Sequence, residues 1–386
     1  MKESLNPPHQ MRIAVNAGSF KSHQGDNNKN LFTNTLLPLV FSEPKCTFIF
    51  LFDAPPSEAI HFPENAISAV IGPEADSPLK NKIWYQLKIP MALKKYKADI
   101  FITINYCSLK TKVPQLLISP DLAFINQPSL VNKKHLSFYK KNTPLFLDKA
   151  SAIVVNSMLS KNKLIDSYKI NEEKIKLFSK GVGSDFVPLE YEEKESIKER
   201  YAEGNEYFIY KGFIGQQQNL MNLIKAFSAF KKRQKSKMQL IIAGTPGIGY
   251  DDFLASLKGY RFKNELKILT DLTKAEMPKI IASAYAMVYV PHFETSSDVP
   301  LEAMKCDVPL IASSMGALPE FCGDAALYSD PADFKNIAEN MMLIFKDEKR
   351  RKELIEKGRA QTIKFSGEQN FDSLFEIIKN IAGAVN

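Results

Sequence analysis

Apolar runs alternate with helical stretches along the first half of the chain. The runs stand at 12–17, 47–52, 99–104, 115–119, 152–156 and 174–179. Between them apolar residues recur every three or four positions, as over 31–41 and 84–96, which is the spacing of an amphipathic helix. Continuous apolar strands that alternate with helices are typical of a parallel sheet covered on both faces.

A second series of the same kind begins after Pro188. A charge-dense helical segment at 190–206 leads to apolar runs at 207–212, 239–244, 266–270, 286–291 and 309–314. The predicted fold class is therefore α/β, with two doubly wound parallel sheets and a boundary near 182–190. Ligands of such sheets bind beyond the carboxyl ends of the strands, so we expect the site in a cleft between the two halves.

Composition narrows the class of protein. A chain of 386 residues with 45% apolar and 24% charged residues has the balance of a folded globular protein with two domains. The apolar runs fall short of the roughly 18–20 residues that span a bilayer, and the opening MKESLNPPHQ lacks the apolar core of a signal peptide. The four cysteines form neither a CxxC pair nor a zinc spacing. We therefore expect a cytoplasmic protein with reduced thiols.

The net charge of +8 lies in the first half. Residues 1–185 hold 24 Lys and Arg against 15 Asp and Glu, whereas residues 186–386 hold 27 against 28. A basic half favours an anionic partner, and solubility alone is the alternative. Arg12 is the only arginine of this half. Because base readout relies on arginine, we expect no nucleic acid partner.

Lysines interleave with aromatic residues in two helical stretches of the first half. A basic amphipathic helix can lie on anionic lipid, which makes an anionic membrane surface a candidate partner and the protein a candidate peripheral membrane protein. A core helix with a solvated lysine face is the alternative. The residues are Lys80, Lys82, Trp84, Tyr85, Lys88, Lys94, Lys95, Tyr96 and Lys97 in one stretch, and Lys133, Lys134, Phe138, Tyr139, Lys140 and Lys141 in the other.

Two glutamates follow the apolar run that ends at Pro291. Glu294 lies on the predicted loop beyond this strand, and Glu302 lies eight positions later in the predicted helix LEAMKC. A carboxylate accepts hydrogen bonds from sugar hydroxyls, and a helix N-terminus offers amides to a phosphate. The pattern indicates a nucleotide-sugar site, and a pair of solvated surface charges is the alternative.

These segments resemble the donor motif of the family-4 retaining glycosyltransferases, also described as glycosyl transferase group 1. The family's motif has seven residues between two glutamates, as between Glu294 and Glu302, and EAMKCDVPLIASSMGALPE and GDAALYSDP continue the likeness. Residues 96–124 and 149–166 resemble its N-terminal segments, and KIKLFSKGVGSDFVP resembles its interdomain linker.

The resemblance implies the GT-B architecture, in which two Rossmann-like domains face each other across a cleft. It implies an acceptor-side domain at 1–185 and a nucleotide-sugar-binding domain at 186–365. A C-terminal helix, within 366–386, is expected to cross back to the first domain.

The family transfers a sugar from a nucleotide-sugar with retention of configuration and without a metal, and this chain has no Asp-x-Asp motif. The resemblance implies a hexosyltransferase, mannosyl or glucosyl in type, that needs no cofactor and acts on an anionic or lipid-linked glycan of the cell envelope. It implies Glu294 as the catalytic residue at the donor sugar and Glu302 at the ribose. Thr270 and Leu272 are expected against the base, and the loop from Gly18 near the phosphates.

The chain departs from the family's pattern after the first glutamate. The family's Gly-Phe-Gly run reads Thr295, Ser296 and Ser297 here, and Asp298 adds a negative charge. We still expect the backbone amides of 296–298 near the donor phosphate. The N-terminal loop also holds a single glycine, Gly25, where the family has a run of glycines.

Three further departures replace basic residues that the family places near the donor. Phe213 and Gln218 stand where the family has an Arg and a Lys for the diphosphate, and Pro120 stands where it has a His. Each lost contact to a leaving phosphate is commonly worth on the order of 10²–10³ in rate, so we expect weak transfer by the chain alone. Lys211, Lys180 and Lys21 are candidate substitutes.

The departures leave three hypotheses open. The first is a glycosyltransferase with a rebuilt phosphate site. The second is a catalytically silent homologue that binds sugars or stabilises an active transferase. The third is another chemistry on the same fold, such as that of a phosphorylase or an epimerase.

Overall fold

The computed structural model describes two units, each a parallel sheet with helices. By internal contacts the chain divides into residues 1–180 with 368–386, and residues 181–367. This confirms the predicted fold class of two parallel-sheet α/β domains. The described residues are 10–18, 35–56, 60–75, 77–104, 106–118, 125, 133–178, 181–215, 218–295, 298–365 and 368–383.

In the described part of the first unit, seven parallel strands form a sheet in the order β3-β2-β1-β4-β5-β6-β7. The chain runs outward from β1 to β3 and then returns to the other side of β1 with β4. The strands are β1 (Arg12–Asn16), β2 (Thr47–Phe52), β3 (Ala66–Val70), β4 (Ile100–Ile104), β5 (Gln115–Ile118), β6 (Ala152–Val155) and β7 (Ile175–Leu177).

The second unit repeats this topology in a parallel sheet of the order β10-β9-β8-β11-β12-β13. The chain runs outward from β8 to β10 and then returns to the other side of β8 with β11, so the connections diverge between β8 and β11. The strands are β8 (Tyr207–Ile214), β9 (Gln239–Pro246), β10 (Leu266–Leu269), β11 (Ala286–Tyr289), β12 (Leu310–Ser313) and β13 (Ala326–Ser329).

The helices bury apolar faces against the sheets, and among those described none is long and apolar enough to cross a bilayer. Trp84–Lys88 is a π-helical turn, and 172–174 and 263–265 are short 3₁₀ turns. The α-helices are α1 (Leu37–Ser42), α2 (Pro78–Ile83), α3 (Ile89–Lys95), α4 (Lys133–Lys149), α5 (Met158–Tyr168), α6 (Tyr191–Ala202), α7 (Leu220–Gln234), α8 (Tyr250–Ser256), α9 (Glu276–Ala282), α10 (Val299–Lys305), α11 (Leu318–Cys322), α12 (Phe334–Lys346), α13 (Glu348–Ile363) and α14 (Glu368–Gly383).

Successive residues of β1 point to opposite faces of the first sheet. Ile13 and Val15 pack in one core cluster, which also holds Leu374 and Ile378 of α14. Ala14 packs on the other face, in the cluster that contains Trp84. The last helix of the chain therefore packs on the sheet of the first unit.

The strands predicted from apolar runs are present, but β3 and β13 are not predicted by the sequence pattern. Both are edge strands. In β3 the side chains of Ile67 and Val70 are 37% and 51% exposed. Because β3 is largely exposed, it does not give a continuous apolar run, whereas β13 is largely buried but has only four residues and ends in Ser329.

Candidate functional site

The candidate site lies at the carboxyl ends of β8 and β11. The connection after β8 leads to β9 on one side, whereas β11 lies on the other side. Where the connections of a doubly wound sheet diverge in this way, a crevice opens that can take a ligand. Lys211 belongs to β8, and Glu294 follows β11.

Lys211 and Glu302 form an ion pair at this place. The Lys211 ammonium donates a hydrogen bond to Glu302 Oε2. Their side chains are 21% and 10% exposed, so water screens the pair only weakly. Glu302 is therefore not a solvated surface charge.

Helix α10 positions Glu302. Pro300 stands in its first turn, where a missing amide costs no hydrogen bond, and Leu301 and Ala303 are buried. At its end Lys305 Nζ donates to the carbonyls of Val182 and Gly183 at 3.2 and 2.9 Å.

The Lys211 ammonium also lies 5.3 Å from the centre of the Phe186 ring. A cation at this distance from an aromatic face is attracted by the ring. Helix α10 and Lys211 thus hold the segment 182–186 beside the ion pair.

Glu294 is oriented by two donors. Its Oε2 accepts from the Tyr289 hydroxyl and its Oε1 from the amide of Thr295, each at 3.1 Å. Gly316 has a φ of +70°, and a Cβ there would lie 2.3 Å from the Glu294 carbonyl oxygen. Only glycine fits this approach, and the next amide, that of Ala317, donates to the same carbonyl at 2.7 Å.

A buried tyrosine connects Glu294 with the two positions that depart from the family's pattern. The ring of Tyr210 stacks on that of Tyr289, with centres 6.0 Å apart. Its hydroxyl donates to the Phe213 carbonyl at 2.9 Å and lies 3.4 Å from Gln218 Oε1. Burial, with the charge of Glu294 second, raises the pKa of Tyr210, so the phenol stays neutral.

The structure thus brings Glu294, Glu302, Lys211, Phe213 and Gln218 to the ends of β8 and β11. Asp298 also lies close to Glu302, because its backbone carbonyl accepts a hydrogen bond from the Glu302 amide at 2.9 Å.

Other predicted residues lie elsewhere. Gly18 belongs to the first unit, where its amide donates to Asn16 Oδ1 at 3.0 Å. Outside the described residues lie Ser296, Ser297, Pro120, Gly25, Lys21 and Lys180.

Thr270 and Leu272 follow β10, which β9 separates from β8. They line a cavity of about 230 Å³ together with Arg200, Tyr201 and Glu276. The Arg200 guanidinium lies 4.9 Å from the centre of the Tyr201 ring. A stacked cation and ring beside a small cavity can accommodate a planar polar group, which is the role expected for this loop.

Glu276 closes one side of this cavity. Its Oε2 accepts from the amide and the hydroxyl of Thr273 at 2.9 and 2.8 Å, and its Oε1 accepts from Tyr201 and Arg200 at 2.8 Å. These bonds, that of the Thr273 amide first, lower the pKa of Glu276 to about 2. Nowhere in the described ranges do three His, Cys, Asp or Glu side chains group as metal ligands.

Sequence reasoning missed the residues that support the site. Asn219 is buried with a φ of 57° and donates to the carbonyls of Val290 and Pro331 at 2.7 and 2.8 Å. It thereby fixes the backbone just beyond β11. The sequence gives no signal for Asn219, whereas Lys211 is visible as a charge in an otherwise apolar strand.

The first similarity to known proteins lies within the second unit. Residues 192–361 match the family model described as "Glycosyl transferases group 1". The chain carries a group 1 glycosyltransferase domain. The matched range of this group 1 domain includes Lys211, Gln218, Glu294 and Glu302.

Relatives extend the likeness to both units. The chain is 26% identical over 280 residues to O-antigen chain mannosyltransferase B of Escherichia coli, over 72% of this chain and 73% of the relative. Sucrose-phosphate synthase from Thermosynechococcus elongatus superposes with a TM-score of 0.79 at 15% identity, over 97% of this chain and 100% of that one.

Anabaena HepE, solved in complex with UDP-glucose, superposes on the chain with a TM-score of 0.75 at 15% identity. The match covers 96% of this chain and 100% of that one. The likeness to these structures shows the fold. The predicted resemblance to group 1 glycosyltransferases, with GT-B structural neighbours, is confirmed.

Proposed function

We propose that the protein is a hexosyltransferase that moves a mannosyl group from a nucleotide-sugar to a glycan of the O-antigen type. The observation that carries this proposal is the largely shielded Lys211–Glu302 ion pair at the divergence point of the group 1 domain, where Glu294 also follows β11. The relative named for O-antigen mannosyl transfer supports the sugar and the acceptor. The structural neighbour that holds UDP-glucose supports a nucleotide-sugar donor.

In this proposal Lys211 supplies the cation that Phe213 and Gln218 lack. Side chains two positions apart on a strand share a face, so Lys211 projects from the same face as Phe213 and about 7 Å away along β8. When the ribose hydroxyls bind the Glu302 carboxylate, the Lys211 ammonium turns to the diphosphate. It then neutralises the charge that develops on the phosphate as the sugar leaves.

Glu294 contacts the hydroxyls of the donor sugar. Tyr289 and the Thr295 amide hold its carboxylate in one orientation before the donor arrives. A preorganised acceptor of this kind selects among sugars that differ in hydroxyl geometry. The transfer retains the anomeric configuration and needs no metal, and the acceptor is lipid-linked.

The test is a binding and turnover screen with UDP-, GDP- and ADP-hexoses. A donor present at 100 times its Kd stabilises the protein by about 2.7 kcal/mol, which thermal unfolding detects. Glu302→Gln should weaken nucleotide binding at least tenfold. Glu294→Gln should mainly reduce discrimination between mannose and glucose donors. Glu192→Gln, an exposed glutamate of α6, is the matched control. Unchanged binding in both site variants contradicts the proposal.

The second candidate is a silent homologue, and the neutral Phe213 and Gln218 positions favour it. Gln218 lies at hydrogen-bond distance from Tyr210, so its amide belongs to a neutral cluster. A protein that binds a nucleotide-sugar tightly but releases no nucleoside diphosphate with any glycan acceptor would establish this candidate. Turnover near the median enzyme rate of about 10 s⁻¹ would exclude it.

A further inference from the structure

One exposed helical face in the first unit combines large apolar side chains with lysines. Leu79, Leu87 and Met91 are 69%, 54% and 59% exposed. Scattered exposed apolar residues are ordinary on protein surfaces, but these three lie along one helical segment over 78–95. Lys82, Lys94 and Lys95 are exposed on the same segment. The lysine-rich face consists of these six residues.

The segment is one helix with a wide turn in its middle. Pro90 has no amide to donate to the carbonyl four residues back, and the amide of Ile89 instead reaches the carbonyl of Trp84, five residues back. The buried side of the helix contains Trp84, Tyr85, Ile89, Ala92 and Leu93. These residues fill the core, so the helix is anchored and its opposite side is presented to solvent.

Residues three and four positions apart share one side of a helix. Leu87, Met91 and Lys95 are spaced by four, and Lys94 follows Met91 by three. The same rule pairs Leu79 with Lys82 in the first turns. Leu87 and Met91 therefore form an apolar strip with Lys94 and Lys95 at one end, and Leu79 with Lys82 lies in the first turns of the same segment.

The charge around this strip is of one sign. Six lysines lie between positions 80 and 97, and no Asp or Glu occurs from 77 to 98. For Lys82, Lys94 and Lys95 the described residues provide no acidic partner, although Lys95 lies 5.0 Å from the centre of the Tyr96 ring. Within the described residues, no ion pair therefore neutralises these three ammonium groups.

A neighbouring loop continues the face. The Leu109 amide donates to Gln86 Oε1 at 2.9 Å, which holds this loop against the helix beside Leu87. Leu109 is 37% exposed, and Lys110 and Lys112 that follow it are exposed. The surface thus gains a further apolar group and two further cations.

We propose that the lysine-rich face binds the surface of an anionic lipid bilayer. Apolar side chains at the centre of such a face enter the boundary between headgroups and acyl chains, while lysines remain at the headgroups. A water-soluble acidic partner would match the charge but would leave three large apolar side chains on the helix unexplained. This inference does not depend on the transferase activity proposed above.

The experiment is co-sedimentation of the full chain with vesicles of phosphatidylglycerol and phosphatidylethanolamine, and with neutral phosphatidylcholine vesicles. We expect binding to the anionic vesicles that weakens as salt rises from 0.1 to 0.5 M, roughly, because salt screens surface charge. Each lysine near such a surface contributes about fivefold, so Lys82→Glu/Lys94→Glu/Lys95→Glu should weaken binding by about 100-fold or more.

The control for total charge is Lys232→Glu/Lys237→Glu/Lys258→Glu, three exposed lysines of the second unit. It changes the net charge equally and should retain most of the binding. For the apolar strip, Leu87→Ser/Met91→Ser should weaken binding about tenfold, whereas Ile248→Ser/Ile363→Ser, at side chains 71% and 72% exposed, should not.

Three results would overturn the proposal. Equal binding to neutral and anionic vesicles removes the role of the lysines. Equal losses in the two triple variants assign the effect to net charge rather than to this face. Binding to an acidic polysaccharide or protein, but to neither vesicle, assigns the face to another class of partner. Circular dichroism and thermal unfolding of each variant verify that it is folded.

Discussion

The two sheets share one topology but differ in what stands at the point where their connections diverge. At the end of β1 in the first unit, buried Asn16 donates to the Tyr85 hydroxyl at 2.8 Å and lies 3.4 Å from Thr103 Oγ1. These three side chains are neutral, and burial, with the charge of the nearby Asp53 carboxylate after it, raises the pKa of Tyr85. At the corresponding end of β8 the second unit places the Lys211–Glu302 ion pair.

The shared topology sets where a crevice forms, whereas the side chains at the crevice set what it can bind. A buried neutral network loses little on desolvation, whereas each buried ion costs several kcal/mol that its partner must offset. Stability alone therefore does not explain the Lys211–Glu302 ion pair of the second unit. The topology therefore gives both units a crevice, and the Lys211–Glu302 ion pair distinguishes the one in which we propose the donor phosphates bind.

The largest expected effect follows from removing one ion of the pair. Lys211→Met leaves the Glu302 carboxylate, 10% exposed, without this cation, and should lower the free energy of unfolding of the second unit by about 3 kcal/mol. Urea unfolding measures this change. Lys211→Met/Glu302→Leu, which removes both ions, should recover most of the loss. A loss below about 1 kcal/mol in the single variant would mean that the pair behaves like a surface salt bridge.

The second prediction restores the cations that the family's pattern contains. Phe213→Arg/Gln218→Lys should strengthen UDP binding by about 10- to 100-fold, because each hydrogen bond from a charged donor adds about 1.5–3 kcal/mol and part of it is spent on ordering the side chains. The Tyr210 hydroxyl bonds to the backbone carbonyl of residue 213, and the substitution keeps this bond.

Phe213→Met/Gln218→Met is the neutral control for that change, and calorimetry reports both. If the cationic variant binds UDP no better than the neutral one, residues 213 and 218 do not face the phosphates. If it binds more tightly and also turns over faster, Lys211 is an incomplete substitute in the wild type.

The third prediction applies to the neutral network of the first unit. Asn16→Ala removes the donor to the Tyr85 hydroxyl and the acceptor of the Gly18 amide, and should cost about 1–2 kcal/mol of stability. The loss should depend little on salt, since neither of the two hydrogen bonds joins a pair of full charges. A loss as large as that of Lys211→Met would contradict the proposed contrast between the two crevices.

The sequence predicts the fold well because continuous apolar runs identify the strands of a parallel sheet. It misses β3, whose residues are largely exposed, and β13, which has only four residues and ends in Ser329. The resemblance to the family points to the two glutamates through their spacing, and to Lys211 as a candidate substitute for the missing cations. The ion pair joins Lys211 to Glu302, which are 91 positions apart in the chain, and no local sequence pattern predicts such a contact.

The residues that support the site are harder to predict from the sequence than the site residues themselves. Gly316 is required by a backbone approach of 2.3 Å from a Cβ to the Glu294 carbonyl, which becomes visible only when two loops are folded together. Tyr210 and Tyr289 read as ordinary apolar positions of their strands, yet their hydroxyls connect Phe213, Gln218 and Glu294. The sequence predicts a set of candidate site residues, and tertiary packing decides which of their atoms meet.

The smallest expected effect concerns Glu276, at the edge of the second sheet and away from the ion pair. Its pKa of about 2 in the folded protein lies below the ordinary value of 4.5, so its hydrogen bonds stabilise the protein above pH 4.5 and lose this effect as the pH falls toward 2. Glu276→Gln should therefore lower the Tm at pH 7, and the difference from the wild type should shrink between pH 4.5 and 2. The exposed Glu192→Gln is the control, and thermal scans across this range provide the measurement. A difference that stays constant with pH would show that Glu276 acts through packing rather than charge. Because no hydrogen bond or ion pair among the described residues joins Glu276 to Lys211, the losses from Glu276→Gln and Lys211→Met should add, and a departure from additivity would connect the Thr270–Leu272 cavity to the ion pair.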